Sequence, residues 1–223
     1  MKTCIAIPMK DPEFSKQRLS PVLDSQQRQT LALALFRQTL RFLNRHFPET
    51  QVLVVTASER IAQIATSYGA AFLIEEPDTG LNGAAELAAR WSCEQGFDSQ
   101  LLLPADIAEL CQSELARLLE HPREQPSVVI CPASDGGTNA LLTTPPDVVP
   151  FRFGIRSSRA HLAAALERSV PCALLQMEKL TFDVDTPDDL QLWTESMANT
   201  ANQHHLTHDL PRSDSHSLTG ATR

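Results

Sequence analysis

Short runs of β-branched and leucine residues alternate with amphipathic stretches along this chain, and this alternation constrains the fold more than any other feature. Apolar runs of four to eight residues between turn signals are typical of strands, and apolar positions recurring every three to four residues are typical of helices. The alternation predicts an α/β fold with a mainly parallel sheet between layers of helices. The predicted strands are residues 3–8, 51–56, 71–74, 100–104, 127–132, 139–143, 171–176 and 180–184, and the predicted helices are 25–46, 59–68, 83–95, 113–121, 158–168 and 187–197.

The apolar periodicity stops shortly after Trp193, before the end of the 223-residue chain. We therefore expect a single domain over residues 1–198, close to the ~100–200 residues of an ordinary domain. Residues 199–223 are polar and carry several histidines. Segments with so little apolar surface cannot offset the entropy of ordering, so this stretch is expected to be a disordered tail.

Charge and hydropathy exclude several classes of partner. The 19 basic and 27 acidic side chains leave a net charge of −8, which disfavours nucleic acid as a partner. No apolar run approaches the ~18–20 residues that a membrane span requires. The apolar run from Cys4 to Met9 is too short for a signal peptide, and the five cysteines contain no CxxC pair. A soluble cytoplasmic protein with reduced thiols is expected.

The first glycine is Gly69, so the opening strand and the loop after it contain none. Phosphate loops of the GxxxxGK[ST] type and GxGxxG dinucleotide turns need glycine where the backbone approaches a phosphate. Both motifs are absent from the sequence. If the first strand end binds a nucleotide, side chains of the loop at 9–22 must do so, and Lys10, Lys16 and Arg18 are the candidates. A solvated basic loop is the alternative.

A helix start is encoded between Leu180 and Leu190. Thr186 is placed to cap the helix and Pro187 to occupy its first position. The two aspartates that follow favour the positive end of the helix dipole, so they need no functional explanation.

Asp183 and Asp185 precede that cap and do need one. With a strand period of two they project from the same face, where two carboxylates repel unless a cation lies between them. Asp106 ends the apolar run that begins at Leu101, and sites of open α/β sheets lie beyond the carboxyl ends of strands. Together the three carboxylates predict a Mg²⁺ site, although Asp106 alone would also fit a turn or a cap.

Two further segments carry candidate anion ligands. Thr138 and Asn139 follow a tight Gly-Gly turn and offer a hydroxyl and an amide, although a plain hairpin would use the same residues. The arginine-rich stretch at 151–159 precedes a helix whose free backbone N–H groups could bind an anion. A helix cap by Ser157 or Ser158 is the alternative there. Asn82 is expected to cap the helix at 83–95.

These segments, taken in chain order, resemble the guanylyltransferase family of coenzyme F420 biosynthesis over residues 1 to about 193. One departure is visible after Asp106, where the family usually continues with Leu-Pro and this chain has Ile107-Ala108-Glu109. That departure affects the loop more than the proposed ligand. The matching motifs are IPMK with SKQRL, Gly80-Leu-Asn82, Leu-Pro-Ala-Asp106, Gly137-Thr-Asn139, Arg152-Phe-Gly154 with Ser157, and Asp183-Val-Asp-Thr-Pro187.

The resemblance implies a nucleotide-diphospho-sugar transferase-like fold and transfer of GMP from GTP to 2-phospho-L-lactate, phosphoenolpyruvate or 3-phospho-D-glycerate, with release of pyrophosphate. It also implies a homodimer. The site residues that it implies fall into three sets: Thr138, Gly154 and Ser157 for the phospho-acid, Asp106, Asp183 and Asp185 for Mg²⁺, and Lys16 and Arg18 for the GTP phosphates.

Such a transfer agrees with the residues that the sequence offers. The acceptor phosphate is already ionised near neutral pH, since its second pKa is ~6, so no general base is required. Two alternatives stay open at this point. One is a nucleotidyltransferase of the same fold that acts on a sugar phosphate or molybdenum cofactor, although such relatives usually carry a glycine-rich loop after the first strand. The other is a non-catalytic nucleotide-binding module.

Overall fold

The computed structural model describes residues 1–77, 79–121, 125–180 and 182–196, so the tail expected at 199–223 lies outside the described residues. Seven strands form one sheet: β1 (Thr3–Pro8), β2 (Gln51–Thr56), β3 (Ala71–Ile74), β4 (Ser99–Leu102), β5 (Ser127–Pro132), β6 (Thr138–Thr144) and β7 (Cys172–Leu174). The helices are α1 (Ser25–His46), α2 (Glu59–Ser67), α3 (Gly80–Glu94), α4 (Gln112–Leu119), α5 (Ser157–Glu167) and α6 (187–196).

The strand order is β3-β2-β1-β4-β6-β5-β7. Strands β1, β2, β3 and β4 run parallel to one another, and β5 and β7 also form a parallel pair. Strand β6 is antiparallel to both of its neighbours, β4 and β5. The predicted mainly parallel sheet is therefore confirmed, with one reversed strand inside it.

Two apolar clusters cover the two faces of the sheet and make the fold three-layered. One cluster joins the sheet to α1, α2 and α4, and includes Ile5, Ile7, Phe36 and Leu115. The other joins it to α3 and α5, through Cys4, Ala6 and the alanines of those helices. The alternation of β1 side chains between the two clusters follows from the strand period of two.

Local signals explain the ends of the long first helix. Asp24 accepts a hydrogen bond from the Gln27 backbone N–H, and the Gln27 side chain accepts one from the Asp24 N–H, which makes a reciprocal capping box. Predicted and observed bounds agree for this helix. No helix among the described residues is both long and apolar enough to cross a membrane.

One predicted strand is wrong. Asp183 forms an isolated antiparallel bridge with Ile107, and no strand spans 180–184 in the described residues. The apolar Leu180 and Val184 that suggested a strand are buried instead under the loop after β4 and under α1. Their burial reflects contacts with neighbouring segments rather than a ladder of backbone hydrogen bonds.

Candidate functional site

The loops that carry the candidate residues meet at one edge of the sheet. Because β1 and β4 are parallel, the loop at 9–22 and Asp106 both lie beyond their carboxyl ends. Because β6 runs antiparallel to β4, its first residue, Thr138, lies at this same edge. Because β6 is reversed, its first residue lies beside the carboxyl ends of the parallel strands, where α/β sheets bind ligands.

Lys16 is the cation at the centre of this edge. Its ammonium Nζ donates to Asp106 Oδ2 at 2.7 Å and to Asp185 Oδ1 at 2.8 Å, and its side chain is 3% exposed. Burial alone would lower the pKa of Lys16, but the two carboxylates outweigh that effect and raise it. The lysine is therefore charged and links the β4 loop to the segment before α6.

The backbone at Lys16 is left-handed, with a φ of 56°. A non-glycine residue in this conformation costs roughly 1–2 kcal/mol. Lys16 thus adopts the conformation that a glycine normally supplies in a phosphate loop, and its side chain enters the site as well. The opening loop can therefore make this turn without a glycine and place the Lys16 ammonium beside Asp106 and Asp185.

Backbone pairing brings Asp106 and Asp183 together. Ile107 bridges Asp183 in antiparallel fashion, and the Ala108 N–H donates to the Phe182 carbonyl at 3.0 Å. Ile107 and Ala108 are buried, so the positions where this chain departs from the family pattern form the link between the two acidic segments. The residues that differ from the family pattern therefore help to position the carboxylates of Asp106 and Asp183.

A buried valine anchors the Asp183-Val184-Asp185 segment. Val184 is fully buried against Leu35 and Ala108, whereas Asp183 and Asp185 on either side of it are only partly buried. The segment is held from its other side by a cap. Thr186 donates its N–H and its hydroxyl to Asp189 Oδ2, both at 2.7 Å, as expected for the start of α6.

Burial and the nearby carboxylates of Asp106 and Asp185 raise the pKa of Asp183 to about 6. This electrostatic coupling places all three acids in one patch. Arg18 is the second cation there, with one guanidinium nitrogen 4.0 Å from Asp185 Oδ2 and a side chain that is 71% exposed. Three carboxylates against two cations leave the patch negative.

As the side chains stand, Lys16 rather than a shared ion lies between Asp106 and Asp185. Within residues 1–77, 79–121, 125–180 and 182–196, no three His, Cys, Asp or Glu side chains are arranged to hold one metal ion. Mg²⁺ commonly takes only one or two carboxylates and completes its shell with water and substrate phosphates. The oxygen donors and the excess negative charge fit such an ion, whereas a metal cage made only by protein does not form.

A second cluster forms around Thr138. Its hydroxyl Oγ1 accepts from Ser157 Oγ at 2.9 Å, and the Ser157 N–H donates to the Gly154 carbonyl at 3.1 Å. The three residues that the resemblance implies for the phospho-acid are therefore neighbours. The Gly136 carbonyl accepts from the Ser158 N–H and hydroxyl, at 3.3 and 2.8 Å, which fastens α5 to the glycine turn.

An irregularity in β6 directs Thr138 towards α5. Cys131 pairs with Ala140 but Pro132 pairs with Thr138, so Asn139 is an extra residue. In a regular strand Thr138 would share a face with Ala140, which lies in the cluster with α1 and α4. The extra residue, typical of a β-bulge, instead directs Thr138 to α5 on the other face.

The expectation that the start of α5 binds an anion through free N–H groups is wrong. Each of the first four N–H groups of this helix donates to a backbone carbonyl: two to Arg156 and one each to Gly154 and Gly136. Arg152 faces outward, where its guanidinium pairs with Glu167 at 2.7 Å. Ser157 and Ser158 are the first residues of the helix, so neither caps it.

The predicted cap by Asn82 is also wrong. Helix α3 begins at Gly80, and the Asn82 side chain lies within its first turn. Its Oδ1 accepts from the Phe153 N–H at 2.6 Å and its Nδ2 donates to the Phe153 carbonyl at 3.3 Å. Asn82 therefore clamps the Arg152-Phe-Gly154 loop against α3, and nothing in its local sequence indicates a partner 71 residues away.

His161, on α5, lies between Thr138 and the Arg152 backbone in the second cluster. The ring is fully buried, contacts Thr138 Oγ1 at 3.2 Å through Nδ1 and accepts from the Arg152 N–H at 2.9 Å through Nε2. Burial, and then the Arg152 charge, lower the pKa of His161 to about 4. Its position four residues after Ser157, one helical turn along α5, was the only sequence signal available.

Comparison with known proteins assigns the chain to a family. The family model described as "Guanylyl transferase CofC like" matches residues 3–206. The chain belongs to this family. The resemblance stated from the motifs is confirmed, and so is the expected class of enzyme, a nucleotidyltransferase.

Relatives of this CofC-like chain include guanylyltransferases with three different acceptor names. A 3-phospho-D-glycerate guanylyltransferase of Colwellia psychrerythraea is 57% identical over 192 residues, covering 86% of this chain and 91% of the relative. A phosphoenolpyruvate guanylyltransferase of Rubrobacter xylanophilus is 38% identical, with 85% and 92% covered. A 2-phospho-L-lactate guanylyltransferase of Methanothermobacter thermautotrophicus is 36% identical, with 85% and 83% covered.

Solved structures share the fold at low identity. A candidate nucleotide-diphospho-sugar transferase from Desulfovibrio desulfuricans superposes with a TM-score of 0.69 at 18% identity, over 91% of both chains. The CMP:2-keto-3-deoxy-manno-octonic acid synthetase complexed with CTP gives 0.62 at 13% identity, over 90% of this chain and all of the other. The predicted nucleotide-diphospho-sugar transferase-like fold is confirmed.

Proposed function

We propose that this CofC-like chain transfers GMP from GTP to 3-phospho-D-glycerate and releases pyrophosphate, as a step of coenzyme F420 biosynthesis. The observation that carries the choice of acceptor is the 57% identity to the Colwellia enzyme over most of both chains. Phosphoenolpyruvate and 2-phospho-L-lactate are the other candidate acceptors, because the relatives named for them are 38% and 36% identical. All three acids carry a phosphate and a carboxylate, but 3-phospho-D-glycerate has its phosphate on C3 and a hydroxyl on C2, whereas the other two carry the phosphate on C2.

The acceptor phosphate attacks the α-phosphorus of GTP, and pyrophosphate leaves with the electrons of the broken P–O bond. The nucleophile is ionised at neutral pH, so the site has to neutralise charge and hold the two phosphates in line. His161 does not serve as a base, because both of its nitrogens are engaged by protein groups. This supports a mechanism that depends on electrostatics and alignment.

The carboxylate patch is proposed to receive the GTP phosphates. Lys16 and Arg18 are the cations at this edge, and they would exchange part of their contact with Asp185 for contact with phosphate oxygens. Their two charges do not balance three carboxylates, and an incoming triphosphate makes the local charge more negative. A further cation is therefore required for binding.

Mg²⁺ is proposed as that cation, held by carboxylates among Asp106, Asp183 and Asp185 together with phosphate oxygens. When bound, it would supply charge neutralisation at the transferred phosphoryl group. Asp106 and Asp183 are held together by the backbone bridge next to them, and Asp185 is held by the cap of α6. These residues are therefore aligned before substrate arrives.

The second cluster is proposed to bind the phospho-acid through Thr138, Gly154 and Ser157. The Thr138 hydroxyl and the Gly154 backbone are suited to anionic oxygens, because a hydroxyl can donate a hydrogen bond and a glycine leaves room for a close approach, while Ser157 holds the Thr138 hydroxyl in place. Gly154 has a φ of 136°, and a side chain added there would force the loop into a strained conformation. The loop is fixed to α3 by Asn82.

The test is pyrophosphate release from GTP and Mg²⁺, with each of the three acids supplied separately and ATP as the nucleotide control. We expect release with GTP and 3-phospho-D-glycerate, no more than weak release with ATP, and loss of release when EDTA is added. Preferred use of phosphoenolpyruvate or 2-phospho-L-lactate would replace the proposed acceptor. No release with any of the acids would contradict the proposed function.

A further inference from the structure

We propose that His161 is a positioning residue that makes the Thr138 hydroxyl a hydrogen-bond donor towards the phospho-acid. The inference rests on the proposed function, because it assigns a ligand oxygen to Thr138. It concerns a residue that contacts no substrate in the proposed mechanism.

The tautomer of His161 is determined by its backbone partner. The Arg152 backbone N–H lies 2.9 Å from Nε2, and an N–H group can only donate. Nε2 must therefore carry the lone pair, and in the neutral ring the proton is on Nδ1. The ring is fully buried and meets the Phe153 ring edge-on at 4.7 Å, so water does not offer a competing acceptor.

The Thr138 hydroxyl receives two hydrogen bonds as a result. His161 Nδ1–H donates to Oγ1 over 3.2 Å, and the Ser157 hydroxyl donates to the same oxygen over 2.9 Å. A hydroxyl oxygen has two lone pairs and one proton, so both of its acceptor positions are used. Its own proton is the only group left for a further bond.

Within the part of the chain that the structure describes, that proton has no acceptor among the bonds of Thr138. Thr138 is 8% exposed and begins β6 at the ligand-binding edge of the sheet. A nearly buried donor without an acceptor is rare in a folded protein, because its desolvation is not compensated. An anionic oxygen of the phospho-acid, phosphate or carboxylate, would supply the missing acceptor.

The opposite tautomer would reverse the effect. With the proton on Nε2, the ring would clash with the Arg152 N–H and would accept from Thr138 through Nδ1. The Thr138 oxygen would then present a lone pair to an anion and repel it. The histidine tautomer therefore decides whether this hydroxyl attracts or repels the substrate.

The first test reads the tautomer directly in the unmodified protein. ¹⁵N-labelled histidine and long-range ¹H–¹⁵N correlation distinguish a protonated Nδ1 from a protonated Nε2 by their nitrogen shifts. We expect the Nδ1–H form at neutral pH, with and without 3-phospho-D-glycerate. The Nε2–H form would overturn the proposal, and this result does not depend on any variant folding.

The second test is kinetic and uses two substitutions of the same residue. In H161N the amide lies near the Nδ1 position and can still donate to Thr138, whereas in H161Q it lies near Nε2 and cannot. We expect H161Q to raise the KM for 3-phospho-D-glycerate about tenfold, the cost of about one hydrogen bond to a charged group, with the KM for GTP nearly unchanged. We expect H161N to stay within about threefold of the wild type.

The controls separate positioning from folding. H46Q makes the same substitution at a histidine at the far end of α1, whose ring packs against Phe42, and should leave the KM unchanged. In a T138V background H161Q should add no further effect, because the two residues act through one hydroxyl. Thermal melting of each variant shows whether its fold is intact.

Three kinetic results would overturn the proposal: a wild-type KM for the acid in H161Q, an equal effect of H161Q in the T138V background, or a wild-type KM in T138V itself. If H161Q does not fold, the tautomer measurement and the comparison of T138S with T138V decide. If the wild type releases no pyrophosphate with any of the acids, the proposed function fails and the inference fails with it. Turnover together with an Nε2–H ring leaves the function intact and overturns only the role of His161.

Discussion

Asp183 is the residue whose carboxylate is least compensated at the site. It lies beside Asp106 and Asp185, and Lys16 pairs directly with those two and not with Asp183. We expect D183N to lower pyrophosphate release at least ~100-fold, a loss of about 2.7 kcal/mol of transition-state stabilisation. Its melting temperature should stay at or above that of the wild type, because a repulsive charge is removed.

The matched control is D188N, which changes an exposed aspartate in the first turn of α6. It should keep nearly full activity. Wild-type turnover in D183N, measured at saturating GTP and Mg²⁺, would contradict the assignment of the carboxylate patch to the metal and GTP phosphates.

Substitution of Lys16 tests whether the opening loop contacts the GTP phosphates or only neutralises the carboxylates around it. K16A should raise the KM for GTP about 10- to 100-fold, because a charge-assisted contact with phosphate contributes ~1.5–3 kcal/mol. K10A, in the same loop but at an exposed position, should change it little. An unchanged KM in K16A would mean that this lysine only neutralises Asp106 and Asp185.

His161 should make the folded protein less stable as the pH falls. Its pKa is about 4 in the folded protein and near 6.5 in the unfolded chain, so the unfolded chain binds the proton first as the pH falls. The groups around the ring are the Arg152 charge and N–H, the Thr138 hydroxyl and the Phe153 ring. Stability is therefore fully present above pH 6.5 and declines between pH 6.5 and 4, by about 2–3 kcal/mol for this group.

Urea unfolding of the wild type and H161N across that range measures the effect. The carboxylates titrate in both proteins, so the difference between the two slopes isolates the histidine. Equal slopes would show that the pKa of His161 is the same in the folded and unfolded protein, contrary to the effect expected from its burial.

At the scale of elements, the clamp between α3 and the loop at 151–154 holds one side of the second cluster in place. N82A removes the partners of both backbone groups of Phe153, so we expect about 1–3 kcal/mol of destabilisation and a higher KM for the phospho-acid. Urea unfolding and pyrophosphate release measure the two effects. N44A removes one exposed bond to the Tyr68 carbonyl and should cost less than about 1 kcal/mol. Equal losses in both variants would contradict the clamp.

Element ends could be predicted where their signals are local. The Asp24 capping box and the Thr186 cap act within three residues of their partners, so α1 and α6 begin where the sequence predicts. Strand 180–184 could not be excluded in this way, because apolar alternation does not distinguish a strand from a segment buried by its neighbours. The start of α5 was misjudged for a similar reason, since its N–H groups are satisfied by the distant Gly136 and by nearby loop carbonyls.

At the scale of the whole molecule, ligand binding should stabilise the fold only when charge is balanced. GTP with Mg²⁺ at about 100 times Kd should add ~2.7 kcal/mol. For a chain of this size that corresponds to a rise of about 5–10 °C in melting temperature. GTP with EDTA should give a much smaller rise, and so should ATP with Mg²⁺. An equal rise without Mg²⁺ would contradict a metal requirement for binding.

The homodimer implied by the family resemblance stays a prediction. Light scattering at micromolar protein concentration would measure a mass of twice that of one chain if it is correct. A mass of one chain would contradict it.

The sequence by itself determined the parts of this protein that depend on neighbours in the chain. The alternation of strands and helices, the caps at Asp24 and Thr186 and the tight glycine turn all follow from backbone geometry over a few residues. The sequence also predicted Asp106, Asp183 and Asp185 as one carboxylate site, and the family resemblance added Lys16 and Arg18 as its cations.

Only the tertiary structure decided how that site is completed. The antiparallel direction of β6 brings Thr138 to the same edge, the bulge turns it towards α5, and His161 and Asn82 then find partners in other segments. Lys16 similarly adopts a left-handed backbone and bonds to acids 90 and 169 residues away. These features depend on non-local packing and hydrogen bonding, whose free energy outweighs local preference and leaves no periodic signal in the sequence.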